Sequence, residues 1–501
     1  MLTKSNYLSG MQCPRKLWLE KRQFSSTAKP SESFRVKEGT EIGSLARKFF
    51  ADAVLVPLGR AEEMEETTRS LISSGHKTIS EATFIAEGCS CSADIVRIHL
   101  DGLDVIEVKS TTSPKNVHTE DLAFQCYVIQ KAGYTIRKTY IMHLNKEYVR
   151  HGELDLNKLF TLTEIPVPFK WQYGGIANEI QGLKAICERR IAPGIELGCH
   201  CEDPYPCPYQ EQCRNQLNIP KDSVFEISCL SAKKKYDFYK RGLITRGQVL
   251  REEQFLLKSL SNTSKALSWS DEILVDQEAI TSFLANIRFP LYHLDYETIQ
   301  HAVPQYEGTS PFEQVPTQYS LHVRTDWETE ELQHREFLGQ PASDWRRALA
   351  ESLCACIPFG AQTMAYNKSF EQTVLRKLAK LYPDLADHLN SMADNMLDLM
   401  VPFRKGWVVS ADMYGSYSIK AVLPALCKDD PELDYSRLEG VHNGTEAMEA
   451  FAKLLELDDP AEINALREQL LEYCGLDTLA MDKILVKLYQ YTTSKEEEKN
   501  A

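Results

Sequence analysis

The chain has 501 residues, of which 43% are hydrophobic and 26% are charged, the balance of an ordinary soluble globular protein with several domains. The net charge of −14 argues against a protein coated in positive charge for nonspecific nucleic-acid binding. No apolar run is long enough to span a bilayer, and residues 1–20 lack the apolar stretch of a secretory signal. We therefore expect a cytoplasmic protein without a membrane partner.

The first candidate catalytic residues lie on a predicted strand pair around an Asp101-Gly102 turn. Glu107 and Lys109 are two positions apart on the second strand and therefore share one face. Asp94 lies on the partner strand and can reach the same face. Two carboxylates and a lysine grouped in this way suit a divalent cation and a water molecule that the cation activates.

A predicted helix at 119–132, which contains Gln125, follows this strand pair. The order of Asp94, Glu107-x-Lys109 and a glutamine helix resembles the RecB-like branch of the PD-(D/E)XK nucleases. The resemblance implies a restriction-endonuclease-like α/β core. It also implies that Asp94, Glu107 and Lys109 are catalytic, that the two acids bind the metal, and that Gln125 helps to bind substrate.

Many members of that branch have a histidine metal ligand on an early helix. The equivalent stretch of this chain, residues 39–46, contains no histidine. Carboxylates are ordinary ligands of hard divalent cations, so Glu41 and Glu81 are both candidates for the missing position. The sequence does not decide between them.

A cluster of cysteines follows in residues 198–213, where several prolines favour a ligand-bearing loop. Four thiolates can hold an iron–sulfur cluster or a zinc ion, and their spacing does not decide which. One cysteine near the N-terminus and three after the core are similar to the layout of iron–sulfur nucleases of the CRISPR-adaptation type. Cys199 and His200 are spare ligands. The resemblance implies a 4Fe-4S cluster on four residues: Cys13, Cys201, Cys207 and Cys213.

Residues 216–285 are largely polar, and 231–246 has the pattern of a helix, so we interpret this region as a connector. A new domain then begins with an apolar strand at 289–296. The strand residues 291–298 carry Asp295 and Glu297 on one face. A buried strand does not tolerate two neighbouring carboxylates without a compensating cation.

The same domain contains further acidic residues at predicted element boundaries. A strand is predicted at 316–323, and Glu371 immediately precedes a predicted helix at 372–381. Tyr473 and Asp477 are four positions apart on a later predicted helix and share one of its faces. Four carboxylates suit a site with two metal ions about 3.5–4 Å apart, beside which Tyr473 could orient the attacking water.

This set resembles the DnaQ-like 3′–5′ exonucleases of the RNase H fold, in the subclass with a tyrosine four residues before the last aspartate. The resemblance implies an RNase H-like α/β domain that binds Mg²⁺ or Mn²⁺. The implied metal ligands are four carboxylates: Asp295, Glu297, Glu371 and Asp477. Tyr473 is the tyrosine of the subclass.

We therefore predict an α/β protein with a RecB-like nuclease and iron–sulfur region at 1–215, a helical connector at 216–285 and an RNase H-like exonuclease domain at 286–490. A disordered tail is predicted at 491–501. The expected activity is metal-dependent hydrolysis of nucleic acid, with DNA favoured over RNA because nucleases resembling the first domain act mostly on DNA ends. The alternative is a non-catalytic nucleic-acid-binding or scaffold protein, suggested by the missing histidine and by Glu371 in place of aspartate.

Overall fold

The structure is a computed structural model, and its described residues form two compact units. Unit 1 comprises Met1–Ile219 and His301–Glu313, and unit 2 comprises Pro220–Gln300 and Gln314–Ala501. Both units are mixed α/β. No helix within the described parts of the chain combines the length and the apolar character that crossing a membrane requires. The structure describes these ranges: 1–22, 34–166, 175–252, 273–340, 343–428 and 430–500.

Unit 1 is built around a mixed sheet. Its strands are β1 (Leu2–Thr3), β2 (Ala53–Leu55), β3 (Thr78–Ala86), β4 (Cys89–His99), β5 (Gly102–Lys109), β6 (Ile136–Leu144) and β7 (Phe160–Glu164). The order of the seven-stranded sheet is β2-β3-β4-β5-β6-β7, with β1 pairing alongside β4. Its helices are α1 (Lys4–Gln12), α2 (Pro14–Lys21), α3 (Phe34–Phe49), α4 (Ala61–Ser73), α5 (Asn116–Lys131), α6 (Leu156–Leu159), α7 (Gly175–Glu188) and α8 (Gln210–Gln216).

The predicted strand pair and the helix that follows it are confirmed as β4, β5 and α5. The turn between β4 and β5 depends on Gly102, whose φ is 144°, and a Cβ there would lie 2.7 Å from the carbonyl oxygen of Thr135. Helix α5 buries Leu122, Phe124 and Val128 in the core of unit 1. It leads into β6, which is parallel to β5. The candidate residues of β5 and α5 are therefore held by neighbouring elements of one core.

Unit 2 contains a second mixed sheet. Its strands are β8 (Leu274–Val275), β9 (Leu291–Gln300), β10 (Gln314–Arg324), β11 (Gln333–Leu338), β12 (Gln362–Ala365), β13 (Met396–Asp398) and β14 (Val408–Val409). The five-stranded sheet has the order β11-β10-β9-β12-β13, and β8 pairs with β14. Strand β10 is antiparallel to both β9 and β11, whereas β12 is parallel to both β9 and β13.

The helices of unit 2 include a long C-terminal helix that packs against β9 and β10. Its residues Leu476, Met481 and Ile484 are buried in the core beside Leu291 of β9. The helices are α9 (Ala232–Lys240), α10 (Arg246–Glu252), α11 (Gln277–Leu284), α12 (Arg346–Cys356), α13 (Ser369–Leu381), α14 (Ala386–Asp394), α15 (Val401–Arg404), α16 (Ile419–Leu426), α17 (Gly444–Leu454) and α18 (Pro460–Asn500).

Two predicted boundaries differ from the structure. The predicted connector at 216–285 is not a separate body, because Pro220–Gln300 belongs to the compact unit 2. Residues 253–272 of that connector lie outside the described residues. The tail at 491–501 was predicted to be disordered, but α18 continues to Asn500. That stretch has no glycine or proline and is rich in lysine and glutamate, which favour helix.

Candidate functional site

Three acidic side chains of unit 2 come together where α18 packs against β9. Asp295, Glu297 and Asp477 each offer one carboxylate oxygen, and these oxygens all lie within 4.8 Å of one another. Within the described residues, no other group of three or more acidic, histidine or cysteine side chains has this spacing. Oxygen ligands lie about 2.0–2.6 Å from a magnesium or calcium ion, so the three oxygens are close enough to share one cation.

The local structure explains how these acids reach one place. Asp295 and Glu297 are two positions apart on β9 and project from the same face of the sheet. Asp477 lies one helical turn after Tyr473 on α18, so both side chains lie on the same side of that helix. The predicted strand for Asp295 and Glu297 and the predicted helix for Tyr473 and Asp477 are therefore both present.

The charges in this cluster are poorly compensated. Burial and the charges of Asp477, Glu371 and Glu297 raise the pKa of Asp295 well above its usual range. Burial and the charge of Asp477 raise the pKa of Glu297 to about 8, although the nearby Lys420 lowers it. Since each carboxylate disfavours ionisation of its neighbours, a bound divalent cation would stabilise the ionised cluster.

Glu371 lies beside the group of three acids. It is in the first turn of α13 and is only 3% exposed. Burial raises its pKa to about 8, and the charge of Asp398 also raises it. Its Oε2 atom is buried and has no hydrogen-bond partner among the described residues. An unpartnered buried carboxylate oxygen is costly, so this atom is suited to a cation or to a metal-bound water.

Two residues that the sequence motifs missed complete the surroundings of Asp477. The hydroxyl of Tyr435 donates a hydrogen bond to Asp477 Oδ1. The ammonium of Lys420, on α16, donates to the hydroxyl of Tyr473 at 3.1 Å. It also lies 3.7 Å from the ring centre of Tyr435. No sequence pattern indicated Tyr435, whereas Lys420 lies in the segment that precedes the predicted Tyr473 helix.

A cavity in unit 2 is lined by two residues that also contact the surroundings of the acidic cluster. This cavity of about 540 Å³ is lined by Lys420 and Tyr435 together with apolar residues such as Leu423 and Leu433. Lys428 and Arg437 also line it. Because Lys420 and Tyr435 contact both the cavity and the residues around Asp477, a substrate in this cavity would adjoin the acidic cluster.

The predicted catalytic residues of unit 1 also come together. Lys109 Nζ lies 2.7 Å from Glu107 Oε1, and Gln125 Nε2 lies 2.7 Å from Glu107 Oε2. Asp94 accepts a hydrogen bond from the backbone N–H of Val108 at 2.6 Å. Burial and the charge of Glu107 raise the pKa of Asp94 to about 7. The like charges of Asp94 and Glu107 therefore repel each other within this cluster.

Two charged residues in this cluster were not predicted. Lys4 Nζ lies 2.8 Å from Glu107 Oε1, and Asp121 Oδ2 lies 2.6 Å from Lys109 Nζ. Burial opposes ionisation of Glu107, but the charges of Lys4 and Lys109 outweigh it, so the pKa of Glu107 is lowered. Asp121 precedes Gln125 by one helical turn, so the predicted helix could have revealed it. No sequence pattern indicated that Lys4 would join this cluster.

The donor set of unit 1 contains the oxygen ligands that a hard divalent cation accepts. Gln125 Oε1 is fully buried and has no hydrogen-bond partner among the side chains that the structure describes. Unlike the cluster of unit 2, however, Asp94 and Glu107 do not belong to a group of three closely spaced ligand atoms. The ammonium groups of Lys4 and Lys109 already neutralise much of the charge of Asp94 and Glu107.

The two candidates for the missing histidine position differ in their surroundings. Glu81 lies on β3 between two residue pairs of the β3–β4 ladder, Ser80↔Ile95 and Ala82↔Ala93, which places it opposite Asp94. Its φ is 57°, an uncommon conformation for a residue other than glycine. The charges of Lys4 and Glu107 act on Glu81, whereas Glu41 is exposed. The structure therefore favours Glu81.

All four predicted cysteine ligands line one cavity in unit 1, together with His200. Cys199 is exposed and is not among the lining residues. Cys13 connects α1 to α2, and the later cysteines lie on a short 3-10 turn, an adjoining loop and α8. The predicted ligands that the cavity brings together are Cys13, Cys201, Cys207 and Cys213.

Hydrogen bonds hold the N-terminal helices against the later cysteine segment. Gln12 Nε2 donates to the carbonyl oxygens of His200 at 2.9 Å and of Tyr205 at 2.7 Å. Arg15 Nη1 donates to the carbonyl oxygen of Pro193 at 2.6 Å. The hydrogen bonds of its neighbours Gln12 and Arg15 therefore help to hold Cys13 beside the other three thiols.

Comparison with known proteins gives a family match that begins in β9 and lies mostly in unit 2. Residues 292–418 match a family described as a domain of unknown function (DUF2779). "Uncharacterized protein UU173" of Ureaplasma parvum is 26% identical over 189 residues, which are 36% of this chain and 27% of that protein. "Uncharacterized protein MG366 homolog" of Mycoplasma pneumoniae is 28% identical over 222 residues, which are 40% of this chain and 32% of that protein.

The chain thus spans about a third of the length of the curated relatives it matches. The family match includes Asp295, Glu297 and Glu371 but ends before Tyr473 and Asp477. The family match therefore covers β9 and α13 but not α18.

Proposed function

We propose that the chain is a metal-dependent nuclease and that unit 2 is a DnaQ-like 3′–5′ exonuclease module with an RNase H-like fold. The observation that carries this proposal is the close approach of Asp295, Glu297 and Asp477, whose oxygens lie within 4.8 Å of one another. The sheet order β11-β10-β9-β12-β13 supports it, since three antiparallel strands followed by two parallel ones suit an RNase H-like sheet.

The chemistry follows from the residues that surround the acids. A bound Mg²⁺ or Mn²⁺ would neutralise phosphate charge and lower the pKa of an attacking water. Asp295, Glu297 and Asp477 would hold it, with Glu371 contributing its unpartnered oxygen. Tyr473 lies between Lys420 and Asp477, where its hydroxyl can orient a water molecule.

For unit 1 we propose a RecB-like PD-(D/E)XK nuclease module with a restriction-endonuclease-like core. The support is the cluster in which Lys109 and Gln125 both contact Glu107, with Asp94 close to Glu107. Lys109 would stabilise developing charge on the phosphate, and Gln125 would hold Glu107 in place for the cation. We propose DNA rather than RNA as the substrate, because nucleases resembling this module act mostly on DNA ends.

We further propose that the four cysteines of unit 1 bind a 4Fe-4S cluster rather than zinc. Zn–S bonds of about 2.3 Å in a tetrahedron bring the sulfurs within about 3.8 Å of one another. No three of the cysteine sulfurs in the described residues lie within 4.8 Å of one another. A four-iron cluster places its ligands at the corners of a larger body, which suits a wider spacing.

The decisive experiment is digestion of end-labelled single- and double-stranded DNA and RNA in Mg²⁺ or Mn²⁺. We expect the wild type to shorten DNA from its 3′ end and Asp295→Asn to lower that rate about a hundredfold, as a loss of about 3 kcal/mol of transition-state stabilisation implies. Adding Lys109→Met to Asp295→Asn should remove the cleavage that remains in the Asp295→Asn variant. Asp384→Asn is the matched control, because Asp384 is exposed and pairs with Arg347.

One observation favours the alternative, a non-catalytic role, for unit 1. Lys4 and Lys109 both contact Glu107, so this carboxylate is already neutralised. If Lys109→Met leaves every cleavage product unchanged while labelled DNA still binds, unit 1 is a binding module. If the wild type degrades nothing in either cation, the nuclease proposal is wrong for both units.

A further inference from the structure

Two lysines converge on a single carboxylate oxygen in unit 1. Lys4 Nζ lies 2.8 Å and Lys109 Nζ 2.7 Å from Glu107 Oε1. Gln125 donates to the other oxygen of Glu107 at 2.7 Å. Glu107 therefore has three donors, and a cation that bound to it would have to displace at least one of them or share the remaining lone pair.

The fold directs Lys4 to this position. Strand β1 pairs in parallel with β4, through Leu2↔Cys89 and Thr3↔Ser90. Thr3 then caps α1 by accepting a hydrogen bond from the backbone N–H of Asn6 at 3.3 Å. Lys4 is the first residue of α1, so its direction is fixed by the strand before it and the helix after it. Its side chain remains 24% exposed, so it is less enclosed than the side chain of Glu107, which is 2% exposed.

The charges show which contact can be exchanged. When all three acids are ionised, Asp94, Glu107 and Asp121 carry three negative charges against the two positive charges of Lys4 and Lys109. A divalent cation would change the net charge of the cluster from −1 to +1, so one ammonium would be repelled. The resulting net positive charge makes the displacement of one lysine favourable once the cation binds.

The two lysines are not held equally. Lys109 lies 2.7 Å from Glu107 and 2.6 Å from Asp121, so it bridges two carboxylates. Lys4 lies 2.8 Å from Glu107 but 3.8 Å from Asp121, beyond hydrogen-bond distance. Lys4 therefore has one close carboxylate contact to lose, whereas Lys109 has two.

We propose that Lys4 is the exchangeable counter-ion of this cluster. It holds Glu107 in the metal-free protein, competes with a divalent cation for that carboxylate, and moves away when the cation binds. This inference rests on the metal site proposed for unit 1 and adds a device that keeps the buried acids neutralised between metal-binding events. Lys4 acts on this site although it lies far along the chain from Asp94, Glu107 and Lys109.

The test is Mn²⁺ binding by isothermal titration calorimetry in the full chain. Asp295→Asn with Asp477→Asn serves as the background, because these changes remove the candidate site of unit 2. We expect Lys4→Met in this background to bind Mn²⁺ about tenfold more tightly than the parent, as removal of one partly exposed competing ion pair implies. Lys4→Arg should bind like the parent. Lys131→Met is the matched control, since Lys131 pairs with the exposed Glu87 of the same unit.

A second measurement guards against a folding defect. Without metal, Lys4→Met should melt at a lower temperature than the parent, and saturating Mn²⁺ should close that gap. Unchanged or weaker Mn²⁺ binding by Lys4→Met would overturn the counter-ion role alone and would point to a substrate contact instead. If neither the parent nor Lys4→Met binds Mn²⁺, the metal site proposed for unit 1 is itself wrong, and the counter-ion role is wrong with it.

Discussion

Lys420 contacts the candidate site of unit 2 through Tyr473 and through its own charge. Its ammonium donates to the Tyr473 hydroxyl at 3.1 Å and lies 4.5 Å from the centre of that ring. Its charge also favours the ionised forms of Glu297 and Asp477. A positive group at this position can both hold Tyr473 and face a substrate phosphate, which makes it a positioning residue for the proposed hydrolysis.

We therefore expect Lys420→Met to lower the single-turnover rate on end-labelled DNA about a hundredfold, the usual effect of removing one aligned donor. Mn²⁺ affinity at the unit 2 site should stay the same or rise, because a competing positive charge has gone. Lys428→Met is the matched control, since Lys428 lines the same cavity but pairs with Asp412. A wild-type rate for Lys420→Met, or an equal loss in the control, contradicts this role.

The sequence predicted residues that share an element far better than residues that only meet in space. Asp295 and Glu297 follow the two-residue period of a strand, and Tyr473 and Asp477 follow the four-residue spacing of a helix. Lys4, by contrast, lies 103 positions from its partner Glu107, and no local period connects them. Contacts of this kind depend on how β1 pairs with β4, which a single sequence does not reveal.

At the scale of elements, the position of Asp477 depends on how α18 is held against the sheet. Asp482 of α18 accepts two hydrogen bonds from Arg324 of β10, at 2.6 and 2.9 Å, and lies 3.2 Å from His293 of β9. Asp482 is 1% exposed and Arg324 is 4% exposed. This buried ion pair therefore fixes the helix just after Asp477.

Removing one partner of a buried pair leaves an uncompensated charge, so we expect Asp482→Asn to lower the free energy of unfolding at pH 7 by about 3 kcal/mol. Burial raises the pKa of Asp482, but Arg324 and His293 lower it below its usual range overall. The stabilisation is thus present above the unfolded pKa of about 4 and is lost as the pH falls through the lowered value. Urea unfolding at several pH values measures this.

The wild type and Asp482→Asn should converge only in acid. Asp384→Asn is a suitable control, since Asp384 forms an exposed ion pair with Arg347 and should unfold like the wild type. A constant difference between wild type and Asp482→Asn down to strongly acidic pH would mean that the effect comes from packing and not from the carboxylate.

Element types were predictable where a pattern is local. The Asp101-Gly102 turn and the alternation on either side gave β4 and β5, and the apolar run before Asp295 gave β9. The order of strands in each sheet was not predictable, because the parallel pairing of β12 with β9 depends on how the intervening chain crosses over. Helix α18 extends beyond its predicted end because the lysine- and glutamate-rich sequence after residue 493 favours helix.

At the scale of the whole molecule, the division into two units follows contacts rather than composition. The break falls between Ile219 and Pro220, close to the predicted end of the first domain at 215. Residues 301–313, which lie between β9 and β10 in the chain, belong to the compact unit 1. Nothing in the composition of that segment distinguishes it, so no sequence pattern could have assigned it there.

A cluster bound to the cysteines would join the N-terminal helices of unit 1 to the later cysteine segment at 198–213. It would have little direct effect on unit 2. Metal ligation that closes a long segment stabilises the fold, since the binding free energy adds to the folding free energy. We expect Cys13→Ser, purified without oxygen, to lose most of its iron and to make unit 1 more sensitive to proteolysis. Mn²⁺ binding at Asp295 and Asp477 should be unaffected.

Cys199→Ser supplies the matched control, because Cys199 is exposed and does not line the cavity that the other four cysteines share. It should retain iron at the wild-type ratio, measured by elemental analysis together with visible absorbance. Equal loss of iron in both variants would mean that the ligand assignment is wrong. A colourless wild-type protein that contains zinc and no iron would mean that the thiols bind a single zinc ion in place of the proposed cluster.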